Sequence, residues 1–356
     1  MTDLEQDCTA RRIGLVMEPD PDDPREVQGV LNPAAARGRD GELYLFPRLV
    51  GDGNYSRIGR ARVLFDSDGA PTGVERLGLA LEPGPDWERN SGGGGVEDPR
   101  VTRLDALDRW VMSYTAFGPL GPRVALALSG DLVNWHRIGP IGFDYEPDTA
   151  ADFNLYANKD AILFPEPVTA PDGRRAFALL HRPTYRVPVL GEPSSMVVPD
   201  GVQDDRESIW ISFAPVTDDP RDLLRWGQHR LLAVPERPWE AVKIGGGTVP
   251  WRTSEGWMLV YHGVASRPQP GVQRDLCYSA GAMLLDHDDV TRVLWRATDP
   301  VLDPQTDDEM RGMVSQVVFP TAADCRPDGS TDIYYGMADS RIGVARIGPG
   351  RFTAGE

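Results

Sequence analysis

The sequence predicts an all-β protein built from five repeats, and three observations carry that reading. No stretch keeps a 3.6-residue apolar period for long. The apolar segments are short, rich in aromatic and β-branched residues, and broken by Gly, Pro and Asp-Gly turns. The segments also recur. VLNP, VEDP, ILFP, GTVP and VVFP end at Pro33, Pro99, Pro165, Pro250 and Pro320, with spacings of 66, 66, 85 and 70 positions.

Each proline-ending segment is expected to be the first strand of a unit. A second strand follows it: LYLF to Phe46, VMSY to Tyr114, ALLH to His181, MLVY to Tyr261 and IYY to Tyr335. The gaps from proline to anchor are 13, 15, 16, 11 and 15 positions. Third strands are expected over 57–65, 123–129, 208–214, 276–285 and 342–347. Five such units describe a five-bladed β-propeller, in which radial repetition limits exposed sheet edges. The competing architecture is a β-sandwich with evenly spaced strands. Repetition also overrides the length rule that would split a chain of 356 residues, so one propeller domain over 1–356 is expected. Residues 184–205 read as an expanded loop that lengthens the third interval.

The net charge of −17 argues against nucleic acid or an anionic membrane as partner, because no global positive field attracts phosphate polymers. It leaves room for a small anion held by a few local cations. The N-terminal MTDLEQDCTARR lacks the apolar core of a signal peptide, and no apolar run is long enough to span a bilayer. Cytoplasmic location is the expectation. Cys8, Cys277 and Cys325 are far apart and lack metal-ligand spacing. No metal and no cofactor are expected, and assembly into a homo-oligomer stays open.

If the first strands line a central channel, Asn32, Asp98 and the group 158–160 cluster at one end of it. Arg48, Arg182, His262 and Asp339, near the ends of second strands, would join them. Residues 92–100, GGGGVEDPR, present Glu97 and Asp98 after four glycines and before a proline, which suits a general acid facing a small polar substrate. A glycine-rich surface turn is the plainer reading, with Arg100 a partner for one carboxylate. Lys159, Arg182, Lys243 and His262 are the candidate cations. Lys243 precedes IGGG, a run that suits either an anion-binding nest or a tight turn. Tyr114 and the other anchor aromatics read as core, with one or two free to stack on a sugar ring at the channel mouth.

The motifs GVEDPR (95–100), NKDAILFPE (158–166), LLHRP (179–183), WE and KIGGG (239–247) and EGWMLVYHGV (255–264) stand in one order. GAMLLDHDD (281–289), VVFP (317–320) and YYGMAD (334–339) continue it. In these strings the chain resembles glycoside hydrolase family 130, the inverting mannoside phosphorylases and related β-mannosidases. The resemblance implies a five-bladed propeller and an inverting phosphorylase that cleaves a β-mannoside with inorganic phosphate to give mannose 1-phosphate. It implies Asp98 as the catalytic acid and Lys159, Arg182, Lys243 and His262 as holders of phosphate. Asn32, Arg48, Glu97, Tyr114, Asp160 and Asp339 are then the expected sugar-binding residues. Pro33 replaces a small hydroxyl residue of many phosphorylases, Lys159 stands for an arginine, and the loop 184–205 is long.

Inverting hydrolysis requires a second carboxylate to activate water, whereas phosphate is itself a nucleophile. The rival reading is therefore a hydrolase with Glu166, Glu240 or Glu309 as base, and a further one is a non-catalytic sugar-binding propeller. The phosphorylase reading expects Arg182, Lys243 and His262 to converge with no carboxylate between them.

Overall fold

A computed structural model describes residues 8–90, 92–189, 192–268, 276–350 and 352–354. The first seven residues of the N-terminal segment, and residues 190–191 of the expanded loop, lie outside that set. Among the described residues the chain forms five consecutive units of four main antiparallel strands, each termed a sheet; the first two units are continuous in one eight-stranded sheet, and the third and fourth carry short extra strands. The first holds Gly29–Arg37, Leu43–Gly51, Tyr55–Phe65 and Pro71–Leu81, and the second Gly94–Leu104, Arg109–Gly118, Gly121–Ser129 and His136–Pro140. The third holds Ala157–Leu163, Arg175–Thr184, Ile209–Pro215 and Arg225–Ala233, and the fourth Lys243–Gly246, Trp257–Ser266, Leu276–Leu285 and Val293–Arg296.

The fifth sheet takes three strands from the C-terminal part of the chain, Val318–Cys325, Thr331–Met337 and Arg341–Ile347. Its fourth is Ala10–Met17, paired antiparallel with Arg341–Ile347. That closure has no signal in the spacing. Within residues 184–205, the strands Arg186–Val189 and Glu192–Met196 form a hairpin of their own.

Alternate side chains of a strand point to opposite faces, so strands covered on both sides read as continuous apolar runs. Val111 packs toward the third sheet and Met112 toward the first; Leu179 packs toward the second and Leu180 toward the fourth. Five apolar clusters result, each between successive sheets, and the last joins the fifth sheet to the first through Tyr334, Val344, Val30 and Leu45. The sheets thus close into a ring.

The periodic anchors sit at one repeated position. Tyr114, Tyr261 and Tyr335 each donate their hydroxyl to a buried glutamate on the short helical turn before their own sheet: Glu88, Glu240 and Glu309. An arginine from the fourth strand completes each clamp, at 2.8 Å for Arg137 on Glu88, 2.8 Å for Arg296 on Glu240 and 2.7 Å for Arg12 on Glu309. The first sheet keeps the ion pair, Arg76 to Glu26 at 2.9 Å, with Phe46 in place of tyrosine. The third replaces the clamp by a buried chain in which Ser212 lies 2.7 Å from both His181 Nε2 and His229 Nδ1.

The proline register differs from the expectation. Pro33, Pro99 and Pro320 lie inside first strands, at breaks in the pairing, while Pro165 and Pro250 fall beyond theirs. Proline cannot donate to a ladder, so a bulge tolerates it. What the first three sheets share is an Asn or Asp in the left-handed region at that bulge: Asn32 (φ 44°), Asp98 (φ 45°) and Asp160 (φ 56°). These side-chain types enter that region most readily, and a bulge re-aims the side chain it carries.

Candidate active site

The bulges and the ends of the second strands meet in one polar cavity of about 240 Å³. Eight of the expected residues line it: Asn32, Arg48, Asp98, Lys159, Arg182, Lys243, His262 and Asp339. Thr184, Glu207 and an apolar wall of Leu276, Tyr278, Val314, Val317 and Phe319 complete it.

Asp98 is the hub. Its Oδ1 accepts from Asn32 Nδ2 at 2.8 Å and Arg48 Nη1 at 3.2 Å, and its Oδ2 from Lys159 Nζ at 3.3 Å. Burial raises its pKa, but Lys159, Arg48 and the Asn32 amide outweigh burial and hold the carboxyl well below its usual range. Arg48 also donates to Glu97 Oε1 at 2.9 Å and Ser56 Oγ at 2.9 Å. Asp339, which lines the same cavity, goes the other way: burial lifts it to about 6, with Arg48 opposing and Asp98 assisting.

The cations converge. Arg182 Nε donates to Asp160 Oδ2 at 2.7 Å, and its Nη1 meets Glu207 in a close ion pair. Lys243 Nζ lies 4.0 Å from Glu207, and His262 Nε2 lies 3.6 Å from Asp160. Burial, then repulsion by Arg182 and Lys159, lowers Lys243 to about 7. Burial lowers His262 to about 3, so its ring is neutral, with Nδ1 donating to the Gly246 carbonyl at 3.2 Å. The Phe319 ring lies tilted beside it, with centroids 4.4 Å apart. Nε2 then carries a lone pair, which suits the O–H of a hydrogen phosphate better than a bare oxygen.

Several expectations need correction. Carboxylates do stand among the cations: Asp160 holds Arg182, and Glu207 is shared by Arg182 and Lys243. His262, expected as a cation, is neutral because burial outweighs the pull of Asp160 3.6 Å away. Tyr114 is not at the channel mouth; it is 2% exposed and hydrogen-bonded to Glu88. Glu97 and Asp160 lie behind the lining and orient Arg48 and Arg182 instead of facing a sugar. Among the described residues, Arg100 makes no hydrogen bond to a carboxylate side chain. Fully buried, it donates to the carbonyls of Asp98, Pro99 and Gly247, tying the second sheet to the fourth.

Neither glycine run makes a ligand loop. Lys243–Gly246 is a strand, and a Cβ on Gly245 would lie 2.4 Å from Asp160 Oδ2 and 2.5 Å from the His262 ring. Gly94 and Gly95 pair in parallel with Tyr55 and Ser56, joining the first two sheets. The three glutamates considered as hydrolytic bases are elsewhere: Glu240 and Glu309 in clamps, Glu166 on Arg252 at 2.9 Å.

The residue missed by sequence reading is Glu207. It lies after the long loop, in no repeated motif, and enters the cavity because the third sheet's third strand begins beside Lys243–Gly246. Among the described residues no group of His, Cys, Asp and Glu is placed to hold a metal, and no helix is long and apolar enough to cross a membrane.

A buried acid among clustered cations in a polar cleft, on an all-β ring, makes a site for a small polar substrate and an anion. The chain belongs to the family Glyco_hydro_130, described as beta-1,4-mannooligosaccharide phosphorylase, whose profile matches residues 6–349. It is 32% identical over 255 residues to a 1,2-beta-oligomannan phosphorylase of Thermoanaerobacter, covering 70% of this chain and 67% of that protein. It is 34% identical over 258 residues to a beta-1,2-mannobiose phosphorylase of the same organism, covering 71% and 67%. The beta-1,2-mannobiose phosphorylase of Listeria innocua, solved with beta-1,2-mannobiose, superimposes with a TM-score of 0.68 at 25% identity, over 95% of this chain and 96% of that one.

Proposed function

We propose that the ring of sheets is a single-domain five-bladed propeller working in the cytoplasm, and that its cavity performs inverting phosphorolysis of a β-mannoside, releasing mannose 1-phosphate. The observation that carries this reading is the convergence of Lys159, Arg182, Lys243 and His262 on the cavity that holds Asp98. Asn32, Arg48 and Asp339 contact the sugar. An oxygen of hydrogen phosphate attacks the anomeric carbon as the bond to the leaving oxygen breaks. Asp98 delivers a proton to that oxygen, directly or through a substrate hydroxyl, and the proton of hydrogen phosphate balances the one delivered.

The electrostatics link the two partners. Lys159 and Arg48 favour the ionised form of Asp98. A dianion beside Lys159 and Arg182 offsets part of that field and raises the proton affinity of Asp98. Phosphate thereby prepares the acid as well as the nucleophile. Arg182 suits the anion because it offers parallel N–H groups, while lysine offers a point charge.

The two Thermoanaerobacter relatives carry β-1,2 names and the family description a β-1,4 one, so the test is a panel of β-1,2- and β-1,4-mannosides with and without phosphate. Mannose 1-phosphate formation that depends on phosphate is expected. Free mannose released equally well without phosphate would overturn the proposal. Arg182→Ala should raise the phosphate concentration needed while leaving the KM for sugar nearly unchanged.

A further inference from the structure

Three carboxylates line the cavity, and they are not equivalent. Asp98 and Asp339 belong to the sugar side, beside Arg48. Glu207 stands alone on the cation side, paired with Arg182 Nη1 and 4.0 Å from Lys243 Nζ. That is the place a tetrahedral anion must take if the cations hold it.

Arg182 is gripped from two directions by carboxylates of unlike character. Asp160 receives Nε at 2.7 Å and its side chain is 0% exposed, so it is a fixed holder. The side chain of Glu207 is 24% exposed. Its backbone, by contrast, is pinned: its carbonyl accepts from Ile244 N–H at 3.1 Å and it precedes the buried Ser208. A glutamate with an anchored backbone and a partly exposed side chain can swing toward solvent without disturbing the strand. The guanidinium stays where Asp160 keeps it.

We propose that Glu207 is a displaceable counter-ion of the phosphate seat: it occupies the seat in the empty enzyme, and inorganic phosphate binds by taking Arg182 and Lys243 from it. The inference rests on the phosphorylase reading and adds a residue that sets its phosphate affinity. Asp160 answers one edge of Arg182 and Asp98 answers Lys159, so Glu207 is the carboxylate that offsets Lys243 and the other edge of Arg182, where an unpaired buried charge would be costly. The resident lowers the apparent affinity of phosphate, since only the fraction of molecules with Glu207 displaced accepts it.

The experiment measures phosphate and sugar dependence for the full chain, wild type, Glu207→Gln and Glu207→Asp, together with calorimetric binding of inorganic phosphate alone. Glu207→Gln keeps the shape and removes the charge. Its KM and dissociation constant for phosphate should fall by roughly tenfold, with the KM for sugar unchanged, because a resident competitor lowers apparent affinity by its occupancy. Glu207→Asp, shorter by one methylene, should fall between the two and serves if the Gln variant does not fold. A phosphate affinity that is unchanged or weaker in Glu207→Gln overturns the proposal. A wild type that releases mannose without phosphate, an activity then lost in Glu207→Gln, overturns the phosphorylase reading itself and makes Glu207 the base that activates water.

Discussion

The clamps along the second strands and the cavity at the centre of the ring use the same side chains for opposite ends. In a clamp, glutamate, tyrosine and arginine all belong to one repeat, as in Glu88, Tyr114 and Arg137. In the cavity several pairs cross between sheets, although Arg182 meets Asp160 and Glu207 of its own. Arg48 of the first reaches Asp98 of the second, Lys159 of the third reaches the same acid, and His262 of the fourth faces Asp160 of the third. Clamp charges are consumed locally and hold each sheet to its entry turn. Cavity charges are shared, and each arrival or departure of an anion changes the balance of its neighbours. Repetition therefore marks the scaffold and the bulges that aim Asn32, Asp98 and Asp160, while the side chain placed at each repeated position sets the chemistry.

The sharpest break between the two regions is at Asp98. Asp98→Asn removes the proton and keeps the shape, and turnover should fall by roughly 10²–10⁴-fold, the range for acid–base catalysis. Stability should fall too, because Lys159 and Arg48 lose a buried counter-charge, but the folded fraction should still show the full loss of turnover. A folded fraction with near-normal turnover would place Asp98 with the clamps.

Glu240→Ala tests the converse. It leaves Arg296, buried against Tyr261, without its carboxylate, and breaking a buried pair costs about 3–5 kcal/mol. Urea unfolding should show that loss, while the folded fraction keeps its kcat and both KM values. An altered sugar KM would bring the fourth clamp into the site.

A smaller effect separates Tyr114 from the substrate. Tyr114→Phe removes one hydrogen bond to a charged group, worth about 1.5 kcal/mol. Denaturant midpoints should record it with no change in sugar affinity. A raised KM would return Tyr114 to the cavity.

The mildest test is the pH dependence of stability through Asp339. Its carboxyl is raised from 3.8 to about 6 in the folded protein, mainly by burial. Between those values the folded form keeps a proton that the unfolded chain releases, so stability falls as pH rises through that window. Asp339→Asn should flatten the fall between pH 4 and 6 in urea titrations. An unchanged slope would show that Asp339 is not the buried carboxyl responsible.

The sequence by itself determined the strand order, the five-fold recurrence, the third-strand segments and eight of the residues that line the cavity. These are legible because alternation, turns and repeat spacing are local, and because the motifs of the family recur in order. Spacing could not reveal that the anchors Tyr114, Tyr261 and Tyr335 serve buried glutamates, since a tyrosine ending an apolar strand looks the same whether its hydroxyl meets Glu88 or a sugar. Tertiary structure alone decided that Ala10–Met17 closes the fifth sheet, that the glycine runs make room for Asp160 and join two sheets, and that Arg100 binds carbonyls across the ring. It also decided that Glu207 stands among the cations. The reason is physical: a carboxylate's partner depends on which strand ends meet at the centre, and ring closure brings residues hundreds of positions apart within hydrogen-bond distance.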